Sequence, residues 1–247
     1  MEKDNLIRRA EDLAARCEKC GVVTHTGFLT PAERYELDAW ARHAGAAVLF
    51  SGGGAECERT LAFFLPYYID AEYFDPSEYI AAIELTAHFG TPGHRDYMGA
   101  LLGMGIGREW LGDIWVQGER AYIFCMVSVL RHLLSIDKVG RCGVSARQLA
   151  LDAVPAPVRE VRRVSFSVMS ARLDAVAAGM FSLSRTEAAR HIVAGNVSVN
   201  YSPCLKADLT VREGDVISLR GAGKARFTGT GGLSRKGRMF VYAEIYK

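Results

Sequence analysis

Arginines recur in the last third of the chain where two short helices are expected to begin: Arg172 in Ser170-Ala-Arg-Leu-Asp174, and Arg185 in Ser184-Arg-Thr-Glu187. A guanidinium can give two parallel hydrogen bonds to a phosphate and stays charged at any accessible pH, so arginines gathered here suit an anionic backbone. Ser184 and Glu187 make a capping box, in which the serine accepts from the backbone of residue 187 and the glutamate reaches back to the serine amide. Helix N-termini at Ser170 and Ser184 would add partial positive charge and spare N–H groups. Asp174 is expected to orient Arg172 or to cap, because like charges keep it from meeting an anionic ligand. The chemistry implied is phosphate binding without bond making.

The elements that must position these groups follow from apolar spacing. Leu173, Val176, Ala177 and Met180 form one stripe on the first helix, with Arg172 and Asp174 off it and Gly179 near its end. On the second helix Ala188, Ala189, Ile192 and Val193 are expected to pack inward, with Arg185 in the first turn and Arg190 on a polar flank. Gly195-Asn196 closes that helix, Val197–Val199 alternates as a strand into Asn200, and Lys206 follows in a loop. A turn at Glu213-Gly214-Asp215 leads to an apolar run, Val216–Leu219. The tail then carries Arg220, Lys224, Arg226, Arg235, Lys236 and Arg238 among glycines, a pattern that fits RNA contact or a plain surface hairpin.

Charge divides the chain. Residues 1–154 hold 15 Lys/Arg against 21 Asp/Glu, net −6, whereas 155–247 hold 15 against 7, net +8. A basic module beside an acidic body points to a polyanionic partner, nucleic acid first. The 247 residues are 49% hydrophobic and 23% charged, which excludes disorder, and the length suggests one large domain or two to three small ones. The longest uncharged apolar run, Ala121 to Leu130, is far too short to span a membrane, and the mixed-sign start is no signal or transit peptide, so a cytoplasmic location is expected. Cysteines at 17, 20, 57, 125, 142 and 204 are too irregular for a disulfide framework and are expected to be free thiols.

Upstream, the spacing predicts a helix over Asp4–Lys19 stopped by Gly21, and a second helix from the Thr30-Pro31-Ala-Glu33 start to Ala44 before Gly45. Apolar strands are expected at Ala46–Phe50 and Leu61–Leu65, completing a small α/β module over 1–75. Residues 76–154 read as strand, helix, strand, strand, helix, strand, the βαββαβ order of ferredoxin-like and RRM-like folds. Tyr122 and Phe124 lie two apart on its third strand, where an RRM exposes stacking aromatics, but the glycine-and-basic signature is missing and core packing is expected. Leu151–Val164, with Pro155, Pro157, Arg159, Arg162 and Arg163, looks like a hinge, and 155–167 is expected to be a basic linker. The whole is an α+β protein.

The run Arg172-Leu173-Asp174, Ser184-Arg185, Ala188, Ile192, Gly195, Val197, Val199-Asn200, Lys206 and Gly214-Asp215 closely resembles the S4 RNA-binding domain, of αL type, over about 168–220. The tail Arg220–Arg226 and Gly232–Arg238 is similar to the C-terminal extension of YlmH-type S4 proteins, which extends the expected domain to 168–247. Phe28–Glu33, His94–Gly99, Gly105–Glu109 and Gly112–Ile114 resemble that family's N-terminal and central modules. The resemblance implies a protein without known catalysis that binds ribosomal RNA and tRNA on the large ribosomal subunit; no cofactor is expected, and a monomer is. Family members support ribosome-associated quality control of stalled peptidyl-tRNA and have been tied to cell division. By matching position, Arg172, Asp174, Ser184 and Arg185 are the S4 motif residues. Arg190, Asn200, Lys206, Arg220, Lys224, Arg226, Arg235, Lys236 and Arg238 complete the expected RNA-binding set.

Two other classes compete. S4 domains accompany pseudouridine synthases, but there they precede a large catalytic domain, and here the domain is C-terminal behind small modules. A division scaffold would use the acidic half. Cys17-Glu-Lys-Cys20 has metal or redox spacing but supplies only two ligands. Gly232–Met239 has P-loop glycines with Arg and Met where Lys and Ser/Thr are required. His94-Arg95-Asp96 combines base, cation and acid without a nucleophile, so capping is expected there.

Overall fold

The computed structural model describes residues 2–157, 161–234 and 236–246, and the chain folds as two compact units, one up to residue 158 and one from residue 159. The first begins with α1 (Glu2–Cys20), β1 (Thr24–His25), α2 (Pro31–Ala44), β2 (Leu49–Ser51) and β3 (Leu61–Phe64). The Thr30–Glu33 capping box forms as the sequence predicts, and Gly45 ends α2 at φ +67°, a left-handed backbone that glycine adopts without strain. The strands pair antiparallel in the order β1-β3-β2, so the expected module is present with one short strand, β1, that its two residues gave no periodicity to reveal.

Successive β3 side chains point to opposite faces. Ala62 and Phe64 pack on α1 and α2 with Ala10, Cys17 and Leu37. Leu61 and Phe63 face the other way and join a second core containing Ile80, Ala82 and Phe124. Those residues belong to the next sheet, built from β4 (Ile80–Ala87), α3 (His94–Gly103), β5 (Leu111–Gln117), β6 (Arg120–Met126), α4 (Val127–Leu133), β7 (Lys138–Val139) and β8 (Cys142–Leu149). Its order, β5-β6-β4-β8-β7 with antiparallel neighbours, is the split-βαβ arrangement. One face carries α3 and α4 over Ile83, Leu85, Ile123 and Cys125. The other, which an RRM offers to RNA, is filled by the N-terminal sheet, and Tyr122 and Phe124 are buried there.

The segments 1–75 and 76–154 thus share a core instead of standing as separate modules. Arg59 adds a polar tie: its Nε donates to Leu111 O at 3.0 Å and its Nη2 to Phe28 O at 2.8 Å and Arg108 O at 2.9 Å. Asp113 accepts from the backbone of Glu58 and Arg59, and burial pushes its pKa up. On the same sheet Glu84, 4% exposed, receives a two-point ion pair from Arg147 at 2.8 and 3.0 Å, which holds its pKa down against burial.

The second unit comprises β9 (Val161–Val168), α5 (Leu173–Phe181), α6 (Arg185–Val193), β10 (Val197–Val199), β11 (Ser202–Pro203), β12 (Val216–Leu219), β13 (Gly223–Leu233) and β14 (Met239–Tyr246). They form one sheet in the order β11-β10-β12-β13-β14-β9. The expected linker is therefore corrected from residue 161 onward: that stretch is a strand paired with β14 along its whole length. Arg159 and Arg235 lie outside the described residues. The basic tail is no appendage either, since Ala225, Phe227, Val241, Ala243 and Ile245 are buried beneath α5 and α6. Its glycine run lies at the β13–β14 turn, between two strands, and leads into no helix. Gly179 sits inside α5, where a Cβ would lie 2.2 Å from the Phe166 ring, so glycine is what lets β9 approach the helix. Among the described residues no helix is long and apolar enough to cross a membrane.

Candidate nucleic-acid interface

The two motif arginines converge. Arg172 is the N-cap residue of α5, and Arg185 opens α6 directly after its capping box. Both reach Asp174 in the first turn of α5. Arg172 donates Nε to Oδ1 at 3.3 Å and Nη2 to Oδ2 at 3.2 Å; Arg185 donates Nε to Oδ2 at 3.1 Å and Nη2 to both oxygens at 3.0–3.3 Å. Asp174 is 8% exposed at its side chain, whereas the arginines keep 39% and 57%. Burial alone would raise the Asp174 pKa, but the hydrogen bonds and charges of Arg172 and Arg185 outweigh it and hold the carboxyl below its ordinary value. The bond to Asp174 in turn raises the Arg172 pKa.

One carboxylate between two guanidinium groups leaves a cluster with a formal charge of about +1. Each arginine spends Nε and Nη2 inward, and the cluster's solvent side is guanidinium, the donor type that fits phosphate oxygens. Asp174 is thus a buried orienting group for both arginines, where the sequence led to the expectation of one, Arg172. The sequence indicated the Arg172 pairing; the Arg185 bond crosses from one helix to the next and has no signature in local spacing.

Other expectations change with the geometry. The first helix starts at Leu173, not Ser170, and its leading amides are occupied: Leu173 N donates to Leu209 O at 2.8 Å and Asp174 N to Ala207 O at 3.0 Å. The helix-end contribution expected of α5 is therefore taken by its own loop. Ser184 caps α6 with Glu187 as predicted, and its side chain is engaged there. Val193 is 69% exposed, leaving Ala188 and Ile192 as the buried positions of α6. Arg190 is exposed but turned about 140° round the helix from Arg185, at 100° per residue, so it does not share that flank.

Asn200 serves as a latch within the fold. At φ +48° it donates Nδ2 to Asp215 at 2.8 Å and accepts from Val216 N at 2.9 Å, locking the β10 turn to the β12 entry. Lys206 and Arg220 are exposed on loops. Arg238 joins Arg185 at the rim of a depression of about 260 Å³ whose floor includes Phe166, Ala178 and Gly179. Lys224 and Arg226 stand on β13, on the sheet face away from the helices, and Lys236 is exposed in the turn.

In the first unit, a concavity of about 860 Å³ lined by Gly53, Gly54, Trp115 and Phe124 is bordered by Glu56, Asp75 and Asp152, the wrong sign for phosphate. Asp96 caps α3 through Gly93 N at 2.8 Å. The Cys17 thiol is buried and donates to Phe64 O, with burial raising its pKa, while Cys20 is exposed. Among the described residues no cluster of three His, Cys, Asp or Glu could hold a metal ion.

Comparison with known proteins finds matches in both units. Residues 75–153 match the family described as "Putative RNA-binding domain in YlmH", and residues 171–217 match the S4 domain. The chain is 30% identical over 223 residues to ribosome-associated protein quality control protein P2 of Bacillus subtilis, covering 90% of this chain and 87% of that protein. It superposes on a structure of the cell division protein ylmH from Streptococcus pneumoniae with a TM-score of 0.53 at 24% identity, over 60% of this chain and 92% of the other, a likeness of fold.

Proposed function

The chain belongs to the YlmH-type family of S4-domain proteins, and on that footing we propose that it is a non-catalytic binder of structured RNA, acting in the cytoplasm on the large ribosomal subunit. Its ligands are ribosomal RNA and tRNA, and its task is the quality control of ribosomes stalled with peptidyl-tRNA. The observation that carries this reading is the Arg172–Asp174–Arg185 cluster, in which a buried carboxylate fixes two half-exposed guanidinium groups side by side. Preorganised forks of this kind recognise phosphate geometry with little further loss of side-chain freedom. Arg238 extends the cationic rim. The relative's name, a ribosome-associated quality control protein, supports the choice of ribosome.

The test is cosedimentation with purified large and small subunits, with the large subunit presented empty or with peptidyl-tRNA. The wild-type protein should pellet with the large subunit, most with peptidyl-tRNA bound, and be released by salt. The Arg172→Ala/Arg185→Ala protein should stay in the supernatant. Equal pelleting of both proteins would overturn the site, and a protein-dependent modified nucleoside in the recovered RNA would overturn the non-catalytic assignment.

A further inference from the structure

The sheet of the second unit has a face that the helices do not cover. Along β14 and β9 the residues alternate: Val241, Ala243 and Ile245 turn inward with Val164 and Phe166, while Phe240, Tyr242 and Tyr246 turn outward, opposite Ser167, Ser165 and Val161. Phe240 is 39% exposed and Tyr242 47%. These are large aromatic surfaces held on a rigid central strand, far from the Arg172–Asp174–Arg185 cluster in the logic of the fold, because they occupy the opposite side of the sheet from α5 and α6.

The register neighbours of Tyr242 are small. Beside Tyr242 the neighbours are Ser165 on β9 and Gly229 on β13. At Gly231 a Cβ would lie 2.7 Å from the Tyr242 hydroxyl, so any side chain there would collide with the ring. The Tyr242 ring therefore lies against the Gly231 backbone on one side and, like Phe240, keeps close to half of its surface exposed. The cations stand nearby: Lys224 Nζ lies 5.1 Å from the Tyr246 ring centroid and 5.8 Å from that of Tyr201, Arg226 is paired in register with Glu244, and Arg163 holds that glutamate at 3.1 Å.

We propose that this outer face is a second RNA site, specific for two or three unpaired nucleotides whose bases stack on Phe240 and Tyr242 while Lys224 and Arg226 meet the backbone. Alternate residues of a strand lie about 6.8 Å apart on one face, and aromatics on the face of an RRM sheet stack two or three bases. A duplex offers no free base faces, so the site selects single strands where the α5–α6 cluster reads backbone. The charge of the C-terminal segment, net +8 over 155–247, suits a polyanion and opposes a basic protein partner. The middle sheet of the first unit cannot serve in this way, since its equivalent aromatics are buried. The proposal rests on the RNA-binding reading only for the identity of the polymer.

The experiment uses the full chain, labelled oligo-U and oligo-A decaribonucleotides, and a labelled blunt-ended RNA hairpin whose strands are joined by a hexaethylene glycol linker in place of loop nucleotides. Phe240→Ala/Tyr242→Ala should weaken decamer binding by about tenfold or more and leave hairpin binding within about twofold. Arg172→Ala/Arg185→Ala should show the reverse pattern, and Tyr242→Phe should bind the decamers as wild type does. A wild-type protein that binds the hairpin but not the decamers, or a folded double aromatic variant that binds them undiminished, would overturn the second site without touching the first. If the double variant does not fold, Tyr242→Trp decides: decamer addition should quench its emission beyond that of the wild type, and an unchanged emission overturns the proposal.

Discussion

Replacing Arg185 with alanine is expected to separate RNA binding from stability, because under the proposed function the same side chain serves both unequally. In the fold it shares Asp174 with Arg172, and its side chain keeps 57% exposure. An ion pair so open to water contributes at most about 1 kcal/mol, and Arg172 still neutralises the carboxylate in the variant. The melting temperature of the second unit should therefore fall by no more than about 4–8 °C. Toward RNA the loss is larger: the cluster's charge drops from about +1 to zero, and charge-assisted bonds to one phosphate disappear, about 1–3 kcal/mol or roughly 5- to 150-fold in affinity. Anisotropy titrations of a labelled hairpin across a potassium chloride series give both affinity and salt slope. With about five phosphates neutralised the wild-type slope should lie near −3.5 to −4.5 in log K against log salt, and the variant should lose about 0.7–0.9 of it. Arg190→Ala is the matched control, since it removes the same charge from a different flank of α6 and should change affinity less than about twofold. Equal effects of the two substitutions, or none at Arg185, would refute a localised phosphate site.

Three further outcomes test the framework that holds the site. Gly179→Ala should destabilise the second unit by about 1–3 kcal/mol in urea unfolding, because the new Cβ meets the Phe166 ring at 2.2 Å; unchanged stability would mean that β9 does not pack on α5 there. Arg59→Ala should cost the first unit about 1–3 kcal/mol by stripping donors from the carbonyls of Phe28, Arg108 and Leu111, read in the same assay, with RNA affinity unchanged. Glu84 and Asp174 both have folded pKa values below their ordinary ones, through Arg147 for the first and Arg172 and Arg185 for the second. Their stabilisation is present above the ordinary carboxylate pKa of about 4 and is lost as pH falls through the lowered folded values. Thermal melts between pH 6 and about 2.5 should show this acid limb, and Glu84→Gln with Asp174→Asn should flatten it.

Local chemistry was legible from the chain alone wherever a few consecutive residues decide the outcome. The Thr30–Glu33 and Ser184–Glu187 boxes, the left-handed glycine after α2, and the strand and helix order of the middle sheet all follow from capping and periodicity, which act within a turn or a strand. The basic character of the C-terminal segment is a matter of composition, and the S4 motif is carried by side-chain types at fixed spacing. Tertiary structure decided the rest, because it depends on contacts between residues far apart in sequence. Arg185 meets Asp174 across an interhelix turn, Asn200 is spent on Asp215, and Arg163 on β9 finds Glu244 on β14, 81 positions away. Pairing of β9 with β14 turned a presumed linker into a sheet strand, and packing of the N-terminal sheet on the middle one buried Phe124, whereas Tyr242, on the second unit's sheet, stays half-exposed. A strand's alternation says that two faces exist; only the element packed against one of them determines which face is left to bind.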